Sequence, residues 1–404
     1  MSSYTDWEKG IVNRNYFVLH ELLKDSRVSK ILSVDFLPFT FKKVMKSYLQ
    51  NVIRGPREKV VYKDLTSKLI KLQTTQRTIP TSSGGAGQAS YKLQAKDLFV
   101  YSTIDSVISQ KRLTGKLEKI IKKLGLKNIL LWSYNPLYPN LLTDIEASSR
   151  IFDTVDNWIE HPSYAKFKES LKNGYKTISE KADLVFTVSE DLINFYKNLG
   201  REKDVYWIPN GVDVEHFNQQ PIINNQQLLK NIKHPVIGYV GTIQHRFDVS
   251  LVASIAQKNP KKSVVLIGPI WKDVQEEINK KLKKFPNIYF LGRKSYRDSP
   301  SYIHEFDVAI IPHKLDKFLA FTNPMKLYEY LACGKPVVAT PGAGMEMFKD
   351  LVYIAKDPRE FSEKINKALK EDSLELKEKR LEAVKKHSWK KRVEEMLKLI
   401  EEKF

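Results

Sequence analysis

The sequence predicts an α/β protein built from two αβα domains that face each other across a cleft. Its 404 residues are enough for two domains that each have a core. Short apolar runs alternate with helix-forming segments, which is the rhythm of parallel β-α-β units. This rhythm stops at a polar linker, NQQPIINNQQ (218–227), and then restarts. Because ligands of such folds bind at the carboxyl ends of the strands, the cleft is the predicted site.

The N-terminal half contains the first series of strands. An amphipathic segment at 16–24 predicts a helix, and the apolar run at 31–34 predicts the strand that follows it. Each later apolar run is again followed by a polar, helix-forming segment. The further strands are predicted at 98–102, 128–134, 150–156, 182–189 and 204–211.

The second series follows the linker and predicts a domain of similar size. Helical patterns at 248–257 and 273–284 separate its first strands, and a charged amphipathic pattern over 374–404 predicts one final helix. The strands of this half are predicted at 235–241, 262–268, 287–293, 306–312 and 335–340.

The bulk composition narrows the class of protein. No run of about 18 apolar residues occurs, so a membrane span is not expected. The polar start, MSSYTDWEKG, lacks the apolar core of a signal peptide. The single cysteine, Cys333, excludes an intrachain disulfide and a cysteine-based metal cluster. We therefore expect a cytoplasmic protein.

The formal charge of +20 indicates a polyanionic partner such as nucleic acid, an anionic membrane or a phosphorylated substrate. A lysine-rich solvated surface is the plain alternative. The basic segment 42–59 follows an aromatic stretch at 36–41, a composition typical of interfacial segments. It equally fits a core helix with a solvated basic face. Nucleic acid is not expected, since no recognition helix or aromatic RNA-binding signature is visible.

The segment TNPMKLYEYLACGKPVVAT (322–340) carries the clearest chemistry. A helix beginning near Pro324 would leave its first amides free to bind phosphate, and Lys326 would add a positive charge there. Glu329, one turn later, could accept two hydrogen bonds from a ribose diol. A surface ion pair between Lys326 and Glu329 is the plain alternative. The donor-binding residues predicted here are Thr322, Asn323, Pro324, Met325, Lys326 and Glu329.

Four segments resemble the GT-B glycosyltransferases, specifically the retaining family 4 within the glycosyl transferases group 1. LYEYLACGKPVVATPGAG (327–344) looks like the donor motif whose glutamate, here Glu329, contacts the ribose. IPNGVDVEHF (208–217) is similar to the Asn-Gly-Val-Asp segment that ends the first domain. GYVGTI (238–243) resembles the first strand and loop of the donor domain, and HSW (387–389) the start of the last helix.

This resemblance implies a GT-B fold made of two Rossmann-like domains. It predicts an acceptor-binding domain at 1–217, a donor-binding domain at 218–385 and a helix at 386–404 that crosses back to the first domain. It implies sugar transfer with retention from a nucleoside-diphosphate sugar, UDP more than GDP or dTDP, to a saccharide or lipid-linked acceptor hydroxyl. No metal and no cofactor beyond this co-substrate are expected. The Asn-Pro-x-Lys-x-x-Glu-Tyr version is typical of cell-surface polysaccharide synthesis, so peripheral docking on the inner face of the cell membrane is also expected.

Two positions depart from the family pattern. Phe321 stands where many relatives have a second glutamate, and Thr242 follows Gly241 where many have arginine. Arg246 and Lys326 are therefore the candidate phosphate pair. We expect sugar recognition to depend on backbone amides at 320–323, or on side chains that the sequence does not identify.

The first domain supplies further candidates. Asp156 and His161, after the strand in FDTVDNWIEH (152–161), are predicted with Lys326 to be catalytic, although the two aspartates of this segment could simply cap the next helix. Arg293 is predicted beside the nucleobase, with a solvated arginine as the alternative. On the acceptor side the candidates are Gly10, Trp132 (with a core role as its alternative) and Asp153.

Two rival functions share part of this pattern. A nucleotide-sugar 2-epimerase has the same fold and would convert a donor without any acceptor. A basic nucleic-acid-binding protein is supported by charge alone.

Overall fold

The structure, a computed structural model, describes residues 12–36, 49, 60–72, 97–219, 229–342 and 344–404. Gly10, most of the basic and aromatic segment 36–59 and most of the linker 218–227 lie outside these residues. The described chain has the predicted α/β architecture, with two lobes that meet at the carboxyl ends of their parallel strands.

The N-terminal lobe contains two four-stranded sheets, ordered β1-β4-β3-β2 and β5-β6-β7-β8. The second sheet is parallel throughout, and β1 and β4 are also parallel. The strands are β1 (Lys30–Phe36), β2 (Val60–Lys63), β3 (Ser67–Leu72), β4 (Asp97–Thr103), β5 (Leu130–Ser133), β6 (Ser149–Thr154), β7 (Leu184–Thr187) and β8 (Val205–Trp207). The helices are α1 (Arg14–Lys24), α2 (Asp105–Ile108), α3 (Gln110–Leu124), α4 (Leu141–Asp144), α5 (Lys168–Lys181) and α6 (Glu190–Asn198), with a 3₁₀ turn at Pro162–Phe167.

The C-terminal lobe contains one six-stranded parallel sheet, ordered β11-β10-β9-β12-β13-β14. Its strands are β9 (Val236–Val240), β10 (Ser263–Ile267), β11 (Ile288–Gly292), β12 (Val308–Ile311), β13 (Val337–Ala339) and β14 (Val352–Ile354). The helices from the end of the first lobe onward are α7 (Val214–Asn218), α8 (Val249–Lys258), α9 (Lys272–Lys281), α10 (Ser299–His304), α11 (Met325–Ala332), α12 (Pro358–Glu371), α13 (Leu374–Lys385) and α14 (Trp389–Lys403), with 3₁₀ turns at Leu319–Phe321 and Glu346–Phe348.

Each strand predicted from the apolar runs is present within a few residues of its predicted bounds. The antiparallel β2 and β3 were not predicted, because their sequences, VVYK and SKLIKL, mix lysine with apolar residues. The single helix predicted over 374–404 is wrong. It is two helices, and Ser388 caps the second by accepting a hydrogen bond from the Lys391 amide.

Helix α14 packs on the N-terminal lobe although it follows the C-terminal one. Its apolar face, including Met396 and Leu397, joins the core formed by Ile151, Phe186 and Ile208. At its start the Trp389 ring stacks on Phe17 of α1, with ring centroids 5.0 Å apart. None of the helices among the described residues combines the length and the apolar content that crossing a bilayer requires.

Candidate functional site

A cavity of about 520 Å³ lies between the two lobes at the carboxyl ends of β6, β9 and β10. It is the meeting point of segments that are far apart in the chain. The predicted site residues that line it are Asp156, His161, Gly241, Thr242, Arg246, Arg293, Asn323, Pro324, Met325, Lys326 and Glu329.

The residues that follow β9 and β10 form the floor of the cavity, where the two segments lie in close contact. A Cβ added at Gly268 would lie 1.9 Å from the Gly241 carbonyl oxygen, so the two chains touch backbone to backbone. Gly241 itself has φ +148° and lies beside the Lys326 side chain. The glycines therefore let the ε-amino group of Lys326 reach the bottom of the cleft.

Two tyrosines that flank Glu329 hold helix α11 in place. The Tyr330 hydroxyl accepts a hydrogen bond from the Val240 amide at 2.8 Å, which ties the helix to the end of β9. The Tyr328 hydroxyl donates to the Asn323 side-chain oxygen at 2.9 Å, which fixes the loop before the helix. In the first turn of α11 the Leu327 amide donates to the Pro324 carbonyl at 3.1 Å. The amides of Met325 and Lys326 have no carbonyl one turn earlier in the helix to bond to, and they are available to an anion.

The cavity contains charged side chains without partners. Among the described residues, Asp156, Arg246, Lys326 and Glu329 form no ion pair and no side-chain hydrogen bond. The Arg246 guanidinium lies over a ring face, 5.1 Å from the Phe318 ring centroid. Burying charges without partners is costly, so the site is built to hold a charged ligand.

The two charges of α11 have strongly shifted pKa values. Burial, with the nearby Arg246 charge, lowers the pKa of Lys326 to about 8. Burial raises the pKa of Glu329 to about 7, although the Lys326 charge opposes this shift. Both side chains line the cavity and form no ion pair with each other among the described residues, which differs from the surface pair that is the plain alternative for this motif.

Asp156 and His161 enter the cavity from the N-terminal lobe. Burial raises the pKa of Asp156 to about 6, against the opposing charge of Arg246. Burial, with His245 and Arg246 nearby, lowers the pKa of His161 to about 3, so its imidazole is neutral. Its Nδ1 accepts a hydrogen bond from the Ser163 amide at 3.1 Å, so the proton lies on Nε2. His161 is thus a hydrogen-bond donor near neutral pH.

Contacts across the cleft join the two lobes. The Asn323 side-chain oxygen accepts a hydrogen bond from the Asn210 amide at 2.9 Å, and its carbonyl accepts one from the Asn210 side chain at 2.5 Å. The His161 ring lies 4.5 Å from the His245 ring, measured between centroids. These contacts place the side chains of both lobes around one cavity.

Arg14 is a positioning residue that sequence reasoning missed. Its Nε donates to both oxygens of Asp153 at 3.0 and 2.9 Å, and its Nη1 donates to the Pro209 carbonyl at 3.3 Å. It therefore links the start of α1 to the end of β6 and to the segment that carries Asn210. No local pattern identifies it, because its partner is 139 residues away.

The structure corrects three candidates. Asp153 does not line the cavity, because it is fully buried in the ion pair with Arg14. Trp132 does not line the cavity either, because its ring packs against Phe186 in the core, at 5.6 Å between centroids. Thr322 is buried, and its hydroxyl donates to the Leu319 carbonyl at 2.8 Å.

The backbone amides predicted to bind the sugar are also partly engaged. The Phe321 amide donates to the Phe318 carbonyl, and the Thr322 amide donates to the Leu319 carbonyl, both at 3.1 Å. These two amides close the 3₁₀ turn and are not free for a ligand.

The segments IPNGVDVEHF and HSW meet in space. The Val212 amide donates to the His387 carbonyl at 3.1 Å, and the Trp389 amide donates to the Val212 carbonyl at 3.2 Å. A Cβ at Gly211 would lie 2.8 Å from the His387 carbonyl oxygen, so only glycine fits this crossing.

Comparisons with known proteins agree with this geometry. Residues 222–388 match the family model of glycosyl transferases group 1. The putative teichuronic acid biosynthesis glycosyltransferase TuaH of Bacillus subtilis is 25% identical over 258 residues, which cover 61% of this chain and 64% of TuaH. The aligned region thus spans less than two thirds of that relative.

Solved structures share the fold. Anabaena Alr3699/HepE in complex with UDP-glucose superposes with a TM-score of 0.59 at 17% identity, covering 72% of this chain and 82% of HepE. The α,α-trehalose 6-phosphate synthase of Burkholderia multivorans gives 0.62 at 11% identity, covering 93% and 99% of the two chains. These likenesses identify the architecture as GT-B.

Proposed function

We propose that this protein, whose residues 222–388 match the family model of glycosyl transferases group 1, is a glycosyltransferase that moves a sugar from a nucleoside-diphosphate sugar to an acceptor hydroxyl. The observation that carries the proposal is the set of unpaired charges around the cavity between the lobes. A diphosphate and a ribose supply the missing partners of these charges.

The donor would lie along the C-terminal lobe. Arg246, Lys326 and the first amides of α11 would bind the diphosphate, while Glu329 would accept hydrogen bonds from the ribose. Arg293, exposed at the edge of the cavity, would lie beside the base. HepE has been solved with UDP-glucose, and this supports UDP as the nucleotide.

Leaving-group stabilisation would be the main catalytic task. Negative charge grows on the departing diphosphate in the transition state, and Arg246 and Lys326 would neutralise it. Asp156 and the neutral His161, on the opposite wall, would orient the sugar and the acceptor hydroxyl. We propose retention of configuration, with the leaving oxygen accepting the proton of the attacking hydroxyl.

We further propose a role in cell-surface polysaccharide or glycolipid synthesis, at the inner face of the membrane. The likeness to TuaH and the net charge of +20 support this setting. Vesicle flotation checks the membrane part, since binding should require anionic lipid and weaken with salt.

A transfer assay tests the activity. The purified chain is incubated with one UDP-sugar at a time as the donor. Oligosaccharides or detergent-solubilised lipid-linked saccharides serve as acceptors, and mass spectrometry measures the masses of the products. We expect an acceptor that is heavier by one sugar, an activity lost in Lys326→Met and kept in the control Lys370→Met, which changes an exposed lysine. Isomerised donor with no acceptor product would instead indicate an epimerase.

A further inference from the structure

Trp271 is an exposed aromatic side chain at the cavity between the lobes, and the donor contacts proposed above do not involve it. It lines the cavity with 46% of its surface exposed. Of the large apolar side chains that are exposed in the described chain, it is the only one that lines this cavity. A tryptophan left exposed at a ligand cavity is typical of residues that contact the ligand.

The backbone of Trp271 is held firmly, although its side chain is exposed. Its amide donates to the Ile243 carbonyl at 2.9 Å, and the Ile243 amide donates to the Pro269 carbonyl at 3.0 Å. Trp271 directly precedes helix α9, and its carbonyl accepts a hydrogen bond from the Val274 amide at 3.3 Å. Because the indole is attached to a fixed support, less conformational entropy is lost when a ligand contacts it.

The same hydrogen bonds determine which part of the cavity Trp271 is next to. Ile243 follows β9, whereas Arg293 follows β11, on the opposite side of β10. Two residues after Ile243 is His245, whose ring lies 4.5 Å from the His161 ring of the N-terminal lobe. The segment that carries Trp271 therefore lies toward the wall with His161 and away from the proposed base site at Arg293.

This wall of the N-terminal lobe combines hydrogen-bonding groups with aromatic rings. Asp156 offers carboxylate oxygens, and the neutral His161 offers an N–H donor. Trp158 and Tyr164 line the same cavity, with their rings stacked at 4.5 Å between centroids. A saccharide has the matching chemistry, because its ring has a face of C–H groups and a rim of hydroxyls. The electron-rich face of an aromatic ring attracts such C–H groups. A fatty chain would leave the carboxylate and the N–H group without partners.

We propose that Trp271 stacks on a sugar ring of the acceptor, so that the acceptor is a saccharide and not a simple lipid alcohol. This inference rests on the proposed glycosyltransferase function and names the acceptor class of the same site. The acceptor hydroxyl would reach the donor beside Asp156 and His161, while the indole would hold a sugar ring of the acceptor. The acceptor site would then include a residue of the donor-binding lobe.

A glycan array tests this proposal. The wild type, saturated with UDP, is applied to immobilised neutral and acidic oligosaccharides, and each glycan that binds is then titrated by calorimetry. We expect Trp271→Ala to bind these glycans at least about tenfold more weakly and Trp271→Phe to retain part of the affinity. Trp271→Leu should bind as weakly as Trp271→Ala, since a leucine side chain has no electron-rich face. The control is Leu374→Ala, which removes an apolar side chain that is 80% exposed at the start of α13 and should bind as the wild type does.

Three outcomes would overturn the proposal. They are equal affinity of the wild type and Trp271→Ala, full affinity in Trp271→Leu, and a UDP-saturated wild type that binds no glycan. Because Trp271 is exposed, its variants should all fold, which circular dichroism checks.

A separate titration with UDP distinguishes this inference from the proposed function. If UDP binds the wild type and the glycan test fails, only the acceptor site is wrong. Absence of UDP binding in the wild type would overturn the proposed function, and this inference with it.

Discussion

Lys326 and Glu329 lie three residues apart on α11, and each has a pKa displaced toward neutrality by burial. A buried ionisable group lowers the free energy of unfolding when it is charged and has no partner. A bound ligand that supplies the partner would offset this loss. Their behaviour with pH therefore distinguishes a binding role from a structural one.

The Glu329→Gln variant should be more stable than the wild type at pH 8. The folded pKa is raised to about 7 from 4.5, so the contribution of Glu329 to the free energy of unfolding is largest below pH 4.5 and falls as the pH rises toward 7. Glutamine carries no charge and removes this loss. The free energy of unfolding of the variant should exceed that of the wild type by about 1–3 kcal/mol at pH 8 and be nearly equal to it at pH 4. Urea unfolding at both pH values measures it, with the exposed Glu378→Gln as the control. Equal effects at the two pH values would contradict the buried carboxylate.

Binding of UDP at pH 8 should take up protons at Lys326. With a pKa of about 8 in the free protein, about half of the lysines are neutral there, and the diphosphate favours the charged form. Calorimetry in buffers of different ionisation enthalpy measures the uptake. The Lys326→Arg variant is charged at every accessible pH and should lose this uptake while it keeps measurable binding. Identical uptake in both proteins would assign the proton to another group.

For single residues, the sequence predicted the charged side chains of the site but not the partners that hold its neighbouring residues in place. Lys326 and Glu329 are visible because a motif places them together. The positions of Thr322 and Asp153 could not be predicted, since each is decided by a partner: the Leu319 carbonyl for one and Arg14 for the other.

The loops after β9 and β10 form the floor of the site, and their glycines set its depth. Gly268→Ala should lower the free energy of unfolding by about 2–4 kcal/mol, because its Cβ would overlap the Gly241 carbonyl oxygen. Gly115→Ala is the matched control. A Cβ there meets nothing within 4 Å, and alanine in helix α3 should stabilise by about 0.5–1 kcal/mol. Chemical unfolding of both variants checks the pair, and a harmless Gly268→Ala would mean that the strand ends are further apart.

The ion pair between α1 and β6 should be a major contributor to the N-terminal lobe. Arg14→Met leaves the carboxylate of Asp153 buried without a partner, at a cost of about 3–5 kcal/mol. The double variant Arg14→Met/Asp153→Leu should recover much of this loss, because it also removes the buried charge. Denaturant unfolding of the two variants decides this. Equal losses would mean that packing, and not the unpaired charge, sets the cost.

Element positions were predictable where apolar periodicity is strong, as in β9, β10 and β12. The pairing of strands was not, because it depends on contacts between distant segments. β1 and β5 each follow a local pattern, yet nothing local indicates that each would be the end strand of its sheet among the described residues.

In the whole molecule, the two lobes act as one site because Asn210, His161 and α14 connect them. The order of motifs along the chain predicted the GT-B fold, and the fold comparison confirms it. The sequence predicted these charged residues at the cleft, but not that they would lack partners there, since Asp156 and Glu329 line one cavity only after the lobes assemble.

Isothermal titration of the wild type, Glu329→Ala and the control Glu378→Ala with UDP, GDP, dTDP and ADP tests the central claim most directly. The account predicts that one nucleoside diphosphate, UDP first among them, binds the wild type and the control alike. It predicts that Glu329→Ala binds about 10–100-fold more weakly, the value of a hydrogen bond to a charged group. Equal affinity in Glu329→Ala, or no binding of any of the four, would contradict the nucleotide clamp.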